Sequence, residues 1–334
     1  MISAVQFRNF KALRSTEVSL GAFNLLVGPS GSGKTSLIQA ILQLRSLAEM
    51  IDQPPVGPLT PPSAGPQIVF LFPPPFDGVR VSLGCAADEL VCNRLTMHAP
   101  EPLARDAWIA LRPQLASARA YLFDHYAMGR PSPRLAVPEL ASNGGNIAAV
   151  LAAWETNAPD AFRSVQADFC RWNPEFSKLR VAPGSDDTVE LVAQIRGEED
   201  GVTGANLSQG TLYSLAILAL AAMPDPPSLV CLEEADRGHH PRQLREVRDA
   251  LYRLSHPRDA GVERAPVQVI ATTHSPYLLD LYRDHPEEVI LSQKHGASAR
   301  FQRLSEVPGI EGQLRDAPLG DLWFSGVLGA VPEE

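Results

Sequence analysis

Eight consecutive residues, Gly28-Pro29-Ser30-Gly31-Ser32-Gly33-Lys34-Thr35, have the types and spacing to hold a polyphosphate. In the pattern G-x-x-x-x-G-K-[ST], Gly31 and Gly33 let the backbone curl until successive N–H groups point inward at phosphate oxygens. Lys34 would then reach the β- and γ-phosphates, and the Thr35 hydroxyl would bind Mg²⁺. Behind them a helix is predicted over residues 35–47, with Ser36 in its first turn, and its N-terminal partial positive charge points at the same anion. An ordinary Gly/Ser turn is the plain alternative. The flanks favour nucleotide binding, because residues 23–27 form a short apolar run of buried-strand type and residues 36–44 are apolar at the helical period.

A second group of residues could complete the chemistry on a bound triphosphate. Leu229-Val230-Cys231-Leu232-Glu233-Glu234 is an apolar run that delivers two adjacent acids. Glu233 would position Mg²⁺ through its water shell, and Glu234 would orient or deprotonate the water attacking the γ-phosphate. Adjacent carboxylates are common by chance; the phosphate loop before them and a second buried strand after them give them this role. Leu207-Ser208-Gln209-Gly210 precedes an apolar helix. Ser208 suits the N-cap there, and a Ser hydroxyl, Gly N–H groups and the helix dipole together also make a second phosphate site. Thr272-Thr273-His274-Ser275-Pro276 puts an imidazole at a strand end, just before a helix start, where it could sense the γ-phosphate.

The elements that must hold these groups are legible in outline. Residues 2–7 alternate as a strand, and Arg8, Asn9, Phe10 and Lys11 follow as a polar turn with one aromatic. Residues 52–66 carry so many prolines that they read as an exposed loop. Strand-like runs at 68–72, 79–83 and 89–95 predict an antiparallel meander. The middle mixes a strand at 118–123, helices starting near Asn146 and Asp160, and strands at 178–181 and 189–195. It has no heptad repeat, which excludes a coiled-coil arm. Trp108, Trp154 and Trp172 read as packing residues. After Gly201, a buried helix at 211–223, a strand at 228–232, a charged amphipathic helix at 241–254 and a strand at 267–272 have the order of a parallel α/β sheet. In such a sheet, ligands sit beyond the carboxyl ends of the strands, where Glu233, Glu234 and His274 fall.

Bulk properties narrow the classes. The 334 residues suffice for one nucleotide-binding domain with an insertion, and the net charge of -9 argues against a surface that coats nucleic acid, though a local Arg patch is compatible with it. Cys85, Cys92, Cys170 and Cys231 form no C-x-x-C pair and have no His at zinc-finger spacing, so neither a structural metal nor a disulfide is expected. The N-terminus lacks the layout of a signal peptide, and the longest apolar segment, near residues 215–223, is too short to span a bilayer. A cytoplasmic protein with no membrane association is expected.

Taken together, these motifs resemble the RecF-like and SMC-like ABC ATPases, in particular the stand-alone ATPases related to the overcoming-lysogenization-defect (OLD) family. The residues that carry the resemblance are those at 7–13, 28–35, 146–151 and 207–212, the Glu233-Glu234 pair with His240-Pro241 downstream, and those at 273–280. They reach both ends and most of the chain between. The resemblance implies an α/β P-loop NTPase of ABC/RecF-like type. Its mixed sheet would carry an N-terminal antiparallel meander and an α-helical or mixed insertion lobe without a coiled-coil arm. A single ATPase domain over 1–334 would comprise strands and phosphate loop at 1–100, an inserted lobe at about 100–200, and the signature, acidic and histidine motifs at about 201–334. Asn9, Phe10 and Lys11 would lie near the adenine; a surface turn with Phe10 tucked into the core is the alternative. Gln67 is the nearest candidate for the metal-contacting glutamine. The sequence departs from the wider pattern in having Glu233 where Asp is usual, Ala235 where Pro is common and His239 where Leu is common.

The implied cofactors are ATP and Mg²⁺. The implied assembly is an ATP-dependent head-to-head homodimer in which Ser208, Gln209 and Gly210 act in trans. With no nuclease-like acid cluster of its own, the chain would serve a separately encoded effector protein, in DNA metabolism or phage defence. A slow-turnover ATP-sensing regulatory subunit and a DNA-binding clamp ATPase are the alternatives.

Overall fold

A computed structural model describes residues 1–58, 65–86, 91–99, 103–134 and 139–328. Parts of the proline-rich loop and of the run at 89–95 therefore lie outside the described residues.

The chain opens with β1 (Ala4–Phe10) and β2 (Leu13–Ser19), a hairpin with Asn9 at the end of β1 and Lys11 in the turn at positive φ, 54° and 53°, so the strand runs on through most of the turn expected at 8–11. β3 (Phe23–Val27), buried along its whole length, feeds the glycine loop and α1 (Lys34–Met50). The helix extends one residue earlier and three later than its apolar period predicts, and it buries Leu37, Ile38, Ile41, Leu44 and Ala48 on one face. Then follow β4 (Gln67–Leu71), β5 (Arg80–Cys85), β6 (Cys92–His98) and α2 (Leu103–Ala116). After β7 (Arg119–Tyr121) come α3 (His125–Met128), β8 (Ser132–Pro133), α4 (Ile147–Asn157), α5 (Pro159–Trp172), β9 (Phe176–Pro183), β10 (Thr188–Ile195) and β11 (Gly201–Thr203). The last third contains α6 (Gln209–Ala222), β12 (Leu229–Leu232), α7 (Leu244–Ser255), β13 (Gln268–Thr273), α8 (Pro276–Asp280), β14 (Val289–His295), β15 (Ser298–Arg303), α9 (Ile310–Asp316) and α10 (Leu319–Phe324). The charged helix expected over 241–254 starts as a 3₁₀ turn at Pro241–Gln243 and becomes α-helical only at Leu244.

The chain divides into two units. One comprises Met1–Ala120, Pro227–Cys231 and Pro266–Glu334; the other comprises Tyr121–Pro226 and Leu232–Ala265. In the first, β2-β1-β4-β5-β6 form an antiparallel sheet in that order. The predicted meander is its β4-β5-β6 half, and the β1-β2 hairpin pairs onto it. A six-stranded sheet has the order β15-β14-β3-β13-β12-β7. β3 runs parallel to β13 and β14, while β15 returns antiparallel, so the sheet is mixed rather than purely parallel. Phe7, Phe10, Leu26, Ile38, Leu44, Phe70, Val81, Trp108 and Ile270 share one apolar core. At about 1.5–3 kcal/mol for each large apolar side chain removed from water, this core holds the phosphate loop's strand and helix together.

One expectation about the cysteines is overturned. Cys85 and Cys92 form a disulfide. Their spacing gives no sign of it, but the β5-β6 register sets Cys85 opposite Cys92, and that pairing is a tertiary fact.

In the second unit, α5 buries Phe162, Val165, Phe169 and Trp172 at spacings of three and four residues, and Phe169 stacks on Phe176 of β9 at 5.7 Å. β10 pairs with β8, β9 and β11. α6 is apolar nearly all round and is buried over Thr211 to Ala221, as a helix packed on several sides must be. Asp168 of α5 holds Arg253 of α7 and Arg171, each at 2.7 Å. Among the described residues no helix is long and apolar enough to cross a membrane, and the longest, α1, has 17 residues, too few for a coiled-coil arm.

Candidate functional site

The first unit carries the phosphate loop. Val27 is paired with Thr273 of β13 on one side and with Leu291 of β14 on the other. These registers bring Gly28, His274 and Ser292 off three adjacent parallel strands at the same edge. Gly28 is there for close approach: a Cβ at this position would stand 2.2 Å from the carbonyl oxygen of Ser292. Gly33 is there for its backbone, with φ at 100°, and a Cβ would also meet Leu13 at 2.7 Å. The Ser292 hydroxyl donates to the Ser32 carbonyl at 2.5 Å and braces the loop from a position 260 residues away.

Lys34 is buried, and its ammonium donates to the carbonyl oxygens of Gly28 at 2.6 Å and Pro29 at 2.9 Å, so the cation lies inside the curl of the loop. Gly33 caps α1 without a side-chain bond to the helix's first N–H groups, and the first turn holds no acid. Ser32 Oγ is buried without a hydrogen-bond partner. A helix start with no side-chain cap, an orphaned hydroxyl and a buried cation around one tight curl fit an oxyanion ligand. Pro29 is half-buried and Ser30 exposed at the lip, while Thr35 and Ser36 open the helix, Thr35 exposed and Ser36 half-buried.

Of the other residues expected in this unit, His274 is exposed on the turn after β13, which is fastened by Ser275 N–H donating to Thr273 Oγ1 at 2.9 Å and by Ser275 capping α8. Gln67 opens β4 opposite Arg8 and Gly84, and its Oε1 is buried without a partner. Phe10 is buried in the core and stacks with Phe7 at 6.1 Å, the place its plain alternative gives it. Asn9 is exposed, and Lys11 lies 5.5 Å over the Phe10 ring and bonds Gln39 Oε1 of α1, which fastens the turn to the helix behind the phosphate loop. Sequence reasoning missed Ser292 and Lys294, whose Nζ lies 4.0 Å from where a Cβ of Gly31 would be. No motif marks them; only the β3-β14 pairing brings them to the loop.

The second unit carries the other motifs. Ser208 is the N-cap of α6, its Oγ accepting from Thr211 N–H at 3.1 Å and lying 2.8 Å from Thr211 Oγ1. Gln209 Nε2 donates to Tyr213 Oη at 3.3 Å. Gly210 packs so closely that a Cβ would stand 2.6 Å from the Gly238 carbonyl oxygen. Glu233 N–H donates to the Tyr121 carbonyl at 2.9 Å, which fixes the start of the acidic turn; Glu233 is half-buried and Glu234 exposed. Glu234 has a left-handed φ of 52° and pairs with Arg237 at 3.3 Å. At His239, neither ring nitrogen reaches a partner in hydrogen-bond geometry. Burial pushes its pKa down to about 4, against the upward pull of the Arg237 and Asp236 backbone and the Asp236 carboxylate.

A family described as "AAA domain, putative AbiEii toxin, Type IV TA system" matches residues 94–280, more than half of the chain. The chain belongs to this AAA family. The matched stretch holds Ser208, the paired acids and His274, and the phosphate loop at residues 28–35 lies outside it. Among solved structures, an SMC head bound to the C-winged helix domain of ScpA is 15% identical over 93% of this chain and 99% of its own, with a TM-score of 0.60. The Smc head domain with coiled coil and joint from Pyrococcus yayanosii is 11% identical over 94% and 99%, with a TM-score of 0.54. The SMC head domain from Thermotoga maritima is 15% identical over 90% and 98%, with a TM-score of 0.50. No curated protein matches the chain. Family and fold agree with the resemblance in the motifs: this is an AAA domain with the fold of an SMC head.

Proposed function

We propose that this AAA family member binds and hydrolyses ATP and uses the cycle to close a head-to-head homodimer. The observation that carries the reading is the phosphate loop: a buried lysine, a helix N-terminus with no side-chain cap and an orphaned serine hydroxyl converge on one curl of backbone. Lys34 binds the β- and γ-phosphates there, and the N–H groups of residues 31–35 orient them. Thr35, and Glu233 through a water shell, are the residues that would hold Mg²⁺, with Gln67 Oε1 a further acceptor, and the ion would neutralise phosphate charge there. Glu234 takes the proton of the attacking water, and His274, exposed at the sheet edge beside Gly28, holds the γ-phosphate end. In the dimer, Ser208, Gln209 and Gly210 of one protomer complete the site of the other.

The dimer couples this cycle to a separately encoded effector in the cytoplasm, where ATP is available. The family's description names a toxin–antitoxin system and one SMC head is bound to a partner's winged helix. Both fit a head that works through a second protein, and kinship with the OLD family would place that work in phage defence or DNA metabolism.

The test is steady-state turnover with and without DNA, beside calorimetry of ATP binding to wild type and Lys34→Ala. Turnover without DNA, with ATP affinity lowered about 100-fold in a folded Lys34→Ala protein, is expected from the loss of one buried charge-assisted contact. Tight binding with turnover too slow to deplete ATP would favour a sensing subunit, and turnover that requires DNA would favour a clamp. An unchanged affinity in Lys34→Ala would remove the phosphate-loop assignment.

A further inference from the structure

The acidic turn and the start of α6, both in the second unit, are locked together by contacts that neither motif requires. Glu234 has φ at 52°, a left-handed conformation that a long side chain seldom adopts. Three residues on, Arg237 N–H donates to the Glu234 carbonyl at 2.9 Å and closes the turn. The Arg237 guanidinium then reaches back to Glu234 Oε2 at 3.3 Å, while its central carbon, Cζ, lies over the Tyr213 ring, 5.6 Å from its centre. That ring has no slack: a Cβ on Gly238 would stand 2.6 Å from it, and His125 meets it edge-on at 6.0 Å. Gly210, in the first turn of α6, is in turn pressed against the Gly238 carbonyl.

We propose that Arg237 is the positioning residue for Glu234, tying its carboxylate to the first turns of α6 through the ring of Tyr213. The proposal rests on the reading of Glu234 as the group that handles the attacking water. Both partners are about half exposed, 42% for Arg237 and 48% for Glu234, so the pair contributes little to stability. Its value is geometric. A planar guanidinium can hold a carboxylate along one edge while its face stacks on an aromatic ring, and an ammonium cannot do both. A shift of Ser208, Gln209 and Gly210, the residues proposed to meet nucleotide across the dimer, would carry Tyr213 and so Arg237 with it. The carboxylate would then be aimed only when the helix start is in place.

The test compares wild type with Arg237→Ala, Arg237→Lys, Tyr213→Phe and Tyr213→Leu. Arg237→Ala should lower kcat at least about tenfold, by misplacing the carboxylate, and leave KM for ATP within about twofold, because Lys34 and the phosphate loop are untouched. Arg237→Lys should recover part of the loss; Tyr213→Phe, which keeps the ring but loses the hydroxyl that Gln209 bonds, should stay closer to wild type than Tyr213→Leu; and Arg237→Ala combined with Tyr213→Leu should be little worse than either alone. A wild-type kcat in Arg237→Ala, or full additivity in the double variant, overturns the proposal. A second measurement needs no turnover: in nucleotide-free protein the Arg237 side-chain resonances should show a ring-current shift that disappears in Tyr213→Leu and weakens in Glu234→Gln. Resonances unshifted in wild type, or unchanged in Glu234→Gln, overturn the tether even if the protein proves not to hydrolyse ATP. Wild-type protein without turnover but with the shift present sinks the ATPase reading and leaves the tether standing.

Discussion

The phosphate loop and the acidic turn hold their shapes in opposite ways. In the first unit, Ser32 and Lys34 are buried, the loop is braced by Ser292, and Gly28 leaves no room for a single added carbon. In the second, Glu234 is about half exposed, its backbone is in a left-handed conformation, and its carboxylate is held by a side chain in water's reach. A group that recognises a fixed polyphosphate gains from rigidity, since each donor is already placed when the ligand arrives. A group that must be aimed at a water at one stage of a cycle gains from a hold that can be released. The buried loop should therefore respond to changes in volume, and the exposed turn to changes in charge.

The largest expected effect tests the charge half of that contrast. Glu234→Gln keeps the shape and removes the base, so turnover should fall about 10²- to 10⁴-fold, while calorimetry should find ATP binding as in wild type. Hydrolysis at the wild-type rate would move the catalytic role to another residue, with His274 next.

His239 sharpens the same contrast through pH. Its pKa is about 4 in the folded chain and 6.5 when exposed, so between these values the unfolded state binds the extra proton and folding stability falls as pH falls. Wild type should lose on the order of 3 kcal/mol relative to His239→Leu between pH 7 and pH 4. Urea denaturation of both proteins across that range measures the difference, and parallel curves would show that the ring is hydrated.

Gly28→Ala tests the volume half. The added methyl collides with a backbone oxygen rather than a flexible side chain, so a loss of about 1–3 kcal/mol of stability is expected, with weakened ATP binding. A thermal melt and a binding isotherm suffice, and wild-type values in both would show that β14 can move away.

The smallest effect separates two roles of one residue. Ser208 caps α6, and Ser208→Ala should cost about 1 kcal/mol of stability for the cap alone. If turnover falls by more than that loss can explain, the hydroxyl also contacts nucleotide. Mixing Lys34→Ala with Ser208→Arg protein would then show whether it does so in trans: partial recovery of ATPase activity supports the dimer, and full activity of a monomeric Ser208→Arg protein refutes it.

Local patterns determined a good deal. The glycine spacing at 28–35, the apolar period of α1, the all-round apolarity of α6 and the buried runs of β3, β12 and β13 are properties of adjacent residues, and the structure places each of them close to where the sequence does. The Ser208 cap was legible for the same reason, since a cap acts within one turn of its own helix. Strand pairing was not legible. β14 and β15 lie in a stretch with no motif, yet β14 inserts beside β3 and delivers Ser292 to the phosphate loop. The β5-β6 register joins two cysteines whose spacing suggested nothing. The left-handed turn at Glu234 and the Arg237-Tyr213 contact likewise depend on which surfaces meet. Residues far apart in sequence are neighbours only once hydrogen-bonded strands and packed helices fix their positions, and no periodicity along the chain encodes that choice.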